Sequence, residues 1–209
     1  MSDDRFDAII VGAGVAGSTA AYLLAQQGLQ VVLVERGPYP GSKNLSGGVL
    51  YTRVLEHIFP NYAEEAPLER CITRQVISFL GGDASFNVDF KNPAFLQPPY
   101  NAFTVLRAKF DRWLAEQAEA AGAMLVPGIK VEQVIKDGTG RVVGVLAGED
   151  ELVADVVIAA DGATSFLAQQ AGLRGRIDTR HVATGVKAVV GLPQATIEDR
   201  FHLDGNEGV

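Results

Sequence analysis

Three glycines at fixed spacing, Gly12, Gly14 and Gly17 in GAGVAG, stand between a short apolar run and an Ala/Leu-rich segment. Glycine is abundant, at 23 of 209 residues, so the pattern alone carries little weight. Its setting carries more. It follows a predicted strand at 6–11 (FDAIIV) and opens a predicted helix at 15–27, ended by Gly28. Glu35 then closes a second predicted strand at 30–35, 18 residues beyond Gly17. The chemistry is phosphate binding. Gly12 permits a tight turn, Gly14 admits a pyrophosphate to the backbone, and Gly17 lets helix and strand pack closely. The helix N-terminus offers unpaired N–H groups and a positive dipole end. Glu35 can accept hydrogen bonds from an adenosine ribose, and its charge repels a 2′-phosphate, which disfavours NADP. Ala13, Ala16 and Arg36 lie inside the same two turns and belong to the candidate binding set. The plain alternative is a Gly-rich strand–helix turn with no ligand.

Other residues sit where ligands gather. Asp161-Gly162 follows the apolar run VVIAA, at the carboxyl end of a predicted strand. Asp161 can also serve as a helix N-cap, and the two roles are compatible. Arg107 stands at a strand-to-helix junction in VLRAKFDRWL. A guanidinium there suits a diphosphate bidentately, but it opposes the helix dipole and needs compensation. Lys109 and Arg112 read as solvated. The stretch GSKNLSGGVLY (41–51) concentrates Gly47 and Gly48 with Lys43, Asn44 and Ser46, more than a plain connector requires. Cys71 reads as a small buried hydrophobe, and His57, His181 and His202 show no metal-ligand spacing. No nucleophile–base pair or metal site stands out, so no residue is assigned a catalytic role.

The elements that must position these residues form an α/β pattern. After the βαβ unit come a helical segment at 51–59 stopped by Pro60, and strands at 71–80 and 84–90 about the turn 81–83. A Pro-rich loop (91–100), a strand (102–106) and an amphipathic helix (108–121) follow, the helix carrying Phe110, Leu114 and Ala118 on one face. Three strands occupy 129–160, a helix follows Asp161-Gly162 as far as Gly172, and a last strand is expected at 181–190. The net charge of −7 argues against a general nucleic-acid partner. One cysteine permits no internal disulfide and no iron–sulfur cluster, in keeping with a reducing, cytoplasmic setting. MSDDRFD does not open a signal peptide, and no apolar run reaches about 18 residues. The apolar stretch NPAFLQPPYNAF (92–103) is either a packed surface loop or a contact to a membrane surface or quinone. The ending FHLDGNEGV, a Gly-rich turn with no capping element after it, suggests a fragment of a longer protein.

The segment FDAIIVGAGVAGSTAAYLLAQQGLQVVLVERG resembles the N-terminal part of FAD-dependent enzymes of the glutathione reductase structural class. GSKNLSGGVLY, VLRAKFDRWLAEQAEAAGA and ADVVIAADGATSFLAQQAGL resemble, more narrowly, the electron transfer flavoprotein–quinone oxidoreductase family and its FixC branch. The resemblance implies a Rossmann-type FAD-binding domain with a βαβ unit and a three-stranded β-meander, at 1–70 and 101–173. It also implies part of an α+β substrate/quinone domain at 71–100 and 174–209, truncated at its C-terminus. FAD would carry the redox chemistry, passing electrons from an electron transfer flavoprotein to quinone. The complex would contain two flavoprotein subunits and a ferredoxin-like subunit, supplying reductant for nitrogen fixation, with peripheral contact at the inner membrane.

The same resemblance assigns roles. The loop at 41–51 would pass beside the isoalloxazine ring, with Gly47 and Gly48 in contact and Lys43, Asn44 and Ser46 donating to flavin oxygens. Arg107 would contact the FAD, Val131 would offer backbone to the adenine edge, and Asp161 and Gly162 would complete the site. In flavin hydroxylases the last motif reads Asp-Gly-x-x-Ser-x-x-Arg. Here Ala168 takes the arginine's place, which points away from direct reduction by a nicotinamide and from a hydroxylase. Two alternatives stay open. One is a flavin-dependent isoprenoid reductase of the geranylgeranyl type, some of which carry a cysteine where this chain has Asn44-Leu45-Ser46. The other is a non-catalytic truncated FAD-fold subunit, since the chain lacks the second Gly-Asp motif of full-length relatives.

Overall fold

The computed structural model describes residues 5–44 and 47–209. In chain order the elements are β1 (Arg5–Val11), α1 (Val15–Ala25), β2 (Val31–Glu35), β3 (Gly47–Tyr51), α2 (Arg53–Ile58), α3 (Tyr62–Glu65), β4 (Leu68–Ile72), β5 (Arg74–Leu80) and β6 (Ser85–Lys91). They continue with β7 (Ala102–Leu106), α4 (Arg107–Ala120), β8 (Met124–Pro127), β9 (Val131–Lys136), β10 (Val142–Ala147) and β11 (Asp150–Ala159). The last are α5 (Phe166–Gln170), α6 (Gln194–Phe201) and β12 (Glu207–Gly208). The chain divides into two compact units, Met1–Asn44 with Asp111–Val186, and Leu45–Phe110 with Lys187–Val209. These divisions fall at 44/45, 110/111 and 186/187, where the sequence suggested 70/71, 100/101 and 173/174.

The first unit is built on a six-stranded sheet in the order β8-β2-β1-β11-β10-β9. β8, β2, β1 and the C-terminal half of β11 run parallel, while β9, β10 and the start of β11 form an antiparallel meander. The ten residues of β11 serve both parts: 150–153 pair with β10, and 153–159 pair with β1. Ile9, Ile10, Val32, Leu33 and Val34 are almost wholly buried, as central strands covered on both faces require. Each such side chain contributes about 1.5–3 kcal/mol when removed from water. α1 meets the sheet through small residues, Gly17, Ser18, Ala21 and Ala25, which let its backbone lie close.

The second unit holds a four-stranded sheet, β12-β4-β7-β3, and the two-stranded ribbon β5-β6. The ribbon pairs Phe79 with Phe86 and Ile77 with Val88 on one face, and all four are exposed. Cys71 is buried as expected; burial, and then the charge of Glu207, push its thiol above the ordinary range. The chain's last turn is held by charge-assisted bonds. Arg70 donates to the carbonyls of Gly205 and Glu207, and Lys91 Nζ lies 2.7 Å from the buried Glu207 carboxylate. No helix among the described residues is long and apolar enough to cross a membrane.

Four expectations change. Residues 47–51 form a strand, although they read as a loop leading into a helix, and the helix begins only at Arg53. Pairing with β7, from Gly47 opposite Leu106 to Tyr51 opposite Ala102, overrides the weak strand propensity of two glycines. Residues 182–193 form no strand; only a short 3₁₀ turn, Thr179–His181, precedes them. Their alternation is apolar enough, but no described strand pairs with them, and Val186 is 92% exposed. The helix after Asp161-Gly162 starts late, at Phe166, because Ser165 adopts a left-handed conformation. A short parallel strand, β8, is present where none was expected.

Candidate functional site

The carboxyl ends of β1, β2 and β11 are laced together by backbone hydrogen bonds. Gly12 N–H donates to the Val34 carbonyl at 2.8 Å, and Ala160 N–H donates to the Val11 carbonyl at 2.9 Å. Chain direction places β2 on one side of β1 and β11 on the other, so this edge is the switch point of the sheet. The three glycines differ sharply in what surrounds them. Gly12 has φ of +104°, and a Cβ there would lie 2.4 Å from the Ala160 carbonyl oxygen. A Cβ at Gly17 would lie 1.9 Å from the Gly12 carbonyl oxygen. Around Gly14 a Cβ would meet nothing within 4 Å. Gly12 and Gly17 are therefore required by the protein's own packing. Gly14, the N-cap of α1, borders open space at a helix N-terminus.

Glu35 joins both turns. One carboxylate oxygen accepts from Ala13 N–H at 3.0 Å and the other from Gly37 N–H at 2.6 Å. Ala13 is buried, while Ala16 and Arg36 are exposed. The loop after β8 closes over the same strand end, with Ile129 N–H donating to the Glu35 carbonyl at 3.0 Å. Val131 opens β9, pairs with Ala147, and packs against the apolar cluster around Val34.

Across β1 from Glu35, Asp161 Oδ2 accepts from Leu167 N–H at 3.1 Å, a cap-like bond to α5, although Ser165 holds the N-cap position. Oδ1 of Asp161 is buried and has no hydrogen-bond partner in the structure. A buried carboxylate oxygen without a protein partner is an acceptor available to a donor. Gly162 has φ of +81° and open space at its Cβ position.

The stretch at 41–51 divides between the units. Lys43 and Asn44 lie exposed in a turn of the first unit. The Asn44 side-chain amide donates to the buried Asp111 at 2.6 Å, so a donor expected to face flavin is engaged by the protein. Ser46 lies outside the described residues. In the second unit, Gly47 and Gly48 sit side by side on β3. A Cβ at Gly47 would lie 2.8 Å from the Val105 carbonyl oxygen, whereas one at Gly48 would meet nothing within 4 Å. Gly48, and not Gly47, is thus the glycine whose presence the protein's own packing leaves unexplained. Gly47→Ala should lower the thermal midpoint by several degrees through loss of β3–β7 pairing, about 1–3 kcal/mol. Gly48→Ala should leave the midpoint within a degree and weaken flavin binding instead. Thermal melts and flavin titrations of both variants separate the two effects.

Arg107 begins α4 immediately after β7 and is half-buried. Lys109 and Arg112 are exposed and paired at the surface with Glu69 and Glu116. Sequence reasoning missed Asp111, which meets the candidate Asn44 only through a contact 67 residues apart along the chain.

The profile of the family described as "FAD binding domain" matches residues 5–202. The chain belongs to that family. As an FAD-binding domain it has the features the group needs. Gly14 borders open space at the helix N-terminus, Glu35 closes the next strand, and Asp161 Oδ1 is a buried acceptor without a hydrogen-bond partner. Over 208 residues the chain is 50% identical to the protein FixC of Salmonella typhi, covering all of this chain and 48% of that protein. It is 49% identical, with the same coverage, to the probable electron transfer flavoprotein-quinone oxidoreductase YdiS of Escherichia coli (strain K12). The chain spans about half the length of these curated relatives. Among solved structures, a geranylgeranyl bacteriochlorophyll reductase-like protein of Thermoplasma acidophilum superposes with a TM-score of 0.69 at 27% identity. That match covers 82% of this chain and 43% of the other.

Proposed function

We propose that this chain supplies the FAD-binding part of an oxidoreductase that passes electrons from an electron transfer flavoprotein to quinone. The observation that carries the reading is identity of 49–50% along the whole chain to FixC and YdiS. When bound, FAD supplies the redox chemistry; the protein binds it, orients it and sets its electrostatics. Gly14 and the first turn of α1 hold the diphosphate. Glu35 accepts from the adenosine ribose while keeping its backbone bonds. Asp161 Oδ1 accepts from a cofactor hydroxyl, Val131 backbone borders the adenine, Arg107 compensates phosphate charge, and Gly48 allows the backbone against the flat ring.

No acid–base pair is needed for electron transfer through a bound flavin. Ala168, where hydroxylases carry an arginine, supports a flavoprotein donor over NAD(P)H. The proposed FAD-binding domain comprises residues 1–70 and 101–173, and residues 71–100 and 174–209 belong to the proposed quinone-facing domain. Two flavoprotein subunits and a ferredoxin-like subunit are the proposed partners, at the cytoplasmic surface of a membrane that dissolves the quinone.

A second reading, reduction of isoprenoid double bonds, draws on the superposition with the geranylgeranyl bacteriochlorophyll reductase-like protein. Its lower identity, 27%, and Asn44 at the flavin-side turn favour electron transfer. The chain loaded with FAD should lose its yellow colour on anaerobic mixing with reduced electron transfer flavoprotein, regain it with a short-chain quinone, and stay yellow with NADH. Bleaching by NADH with no response to the flavoprotein would overturn the proposal.

A further inference from the structure

The loop that carries Asp161 and Gly162 has Ala168 where the related hydroxylase motif has arginine. The structure brings a guanidinium to the loop from elsewhere. Arg174 lies beyond the end of α5, yet its Nε donates to the Ser165 carbonyl at 3.2 Å and its Nη2 donates to the Thr164 carbonyl. Nη1 donates to the Gly175 carbonyl at 3.3 Å. Two adjacent carbonyls are thus gripped by one planar fork, a geometry a lysine cannot reproduce.

The gripped corner is a strained one. Ser165 has φ of 40° and ψ of 57°, a left-handed conformation that a non-glycine residue keeps only when its surroundings hold it. The Ser165 carbonyl also accepts from Gln169 N–H at 3.3 Å, so the first turn of α5 and Arg174 meet on one atom. Leu167 N–H, two residues further, donates to Asp161 Oδ2. The corner therefore stands between Asp161 and the N–H that orients it, and the other Asp161 oxygen is the buried one with no partner.

We infer that Arg174 is a positioning residue for the cofactor, acting through Asp161. It fixes the Thr164–Ser165 corner, the corner holds Leu167 N–H on Oδ2, and Oδ1 is thereby presented to a cofactor hydroxyl. The inference rests on the FAD reading of the site.

The test is a double-mutant cycle on the chain, with FAD affinity measured by quenching of flavin fluorescence and the fold checked by circular dichroism. Arg174→Ala should weaken FAD binding about tenfold, the scale of one hydrogen bond to a charged group. Arg174→Lys, which keeps the charge but not the fork, should recover only part of that loss. In an Asp161→Ala background, Arg174→Ala should have little further effect, because the carboxylate it positions is gone. A purely structural role would lower affinity equally in both backgrounds and would overturn the inference. So would wild-type affinity in Arg174→Ala, or in Arg174→Lys should the alanine variant fail to fold. A wild-type chain that takes up no FAD would overturn the cofactor reading as well, which separates the two failures.

Discussion

Gly17→Ala should lower the thermal midpoint of the chain by about 10 °C, and Gly14→Ala should leave it nearly unchanged while weakening FAD binding about 100-fold. The two glycines share a motif but not a reason. A Cβ at Gly17 would lie 1.9 Å from the Gly12 carbonyl oxygen, which no rotamer change relieves because the backbone fixes the Cβ position and its neighbour is a backbone atom. Moving α1 off the sheet to make room opens the contacts of Ala21 and Ala25, a loss of about 3 kcal/mol. Gly14 has open space where its Cβ would stand, so the fold tolerates alanine there. The methyl group would instead occupy the path of the diphosphate and hold it away from the N–H groups of α1. Differential scanning calorimetry and flavin titration of the two variants read the contrast. A Gly14→Ala protein that binds FAD as tightly as wild type would remove the diphosphate from this turn.

Glu35→Ala should have the next largest effect, because it removes two functions at once. Its carboxylate accepts from Ala13 N–H and Gly37 N–H, and Ala13 is fully buried, so truncation strands a backbone donor. Hydrogen bonds to a charged group contribute about 1.5–3 kcal/mol, and a net loss of about 2 kcal/mol is expected. Glu35→Gln keeps a carbonyl oxygen that can accept from one N–H and should recover part of the stability. The alanine variant loses the acceptor proposed for the adenosine ribose and the glutamine variant keeps only one uncharged acceptor oxygen, so FAD and ADP affinities should fall together, by at least about tenfold in the alanine variant and by less in the glutamine variant. Parallel titrations with FAD and ADP check this. An unchanged ADP affinity would place the ribose elsewhere.

The nucleotide-binding half was legible in the sequence because its determinants are local. An apolar run, a glycine turn and a small-residue helix in 35 residues specify β1, α1 and β2 with little help from afar. What those residues touch was less legible. That Glu35 would fold back onto the Ala13 and Gly37 N–H groups depends on the angle between two turns, which spacing does not encode. Gly47 and Gly48 looked alike on paper, and only the register against β7 shows that one faces a carbonyl and the other faces space. Residues 182–190 alternate like a strand, but a strand exists through a neighbour's hydrogen bonds, and no described segment provides them. Asp111 carried no local signal, since Asn44 reaches it through a fold in the chain of 67 residues, and the bonds from Arg174 back to Thr164 and Ser165 are set by the turn after α5, which spacing does not encode.

The cradle formed by Gly14, Glu35 and Asp161 is the central claim, and direct uptake of cofactor tests it most simply. The chain, purified without flavin, is titrated with FAD, NAD and NADP, and bound ligand is followed by flavin absorbance and by calorimetry. The predicted result is saturable binding of one FAD per chain, competed by ADP, with no uptake of NADP and a perturbed flavin spectrum. Tight binding of NAD or NADP with no binding of FAD would contradict it.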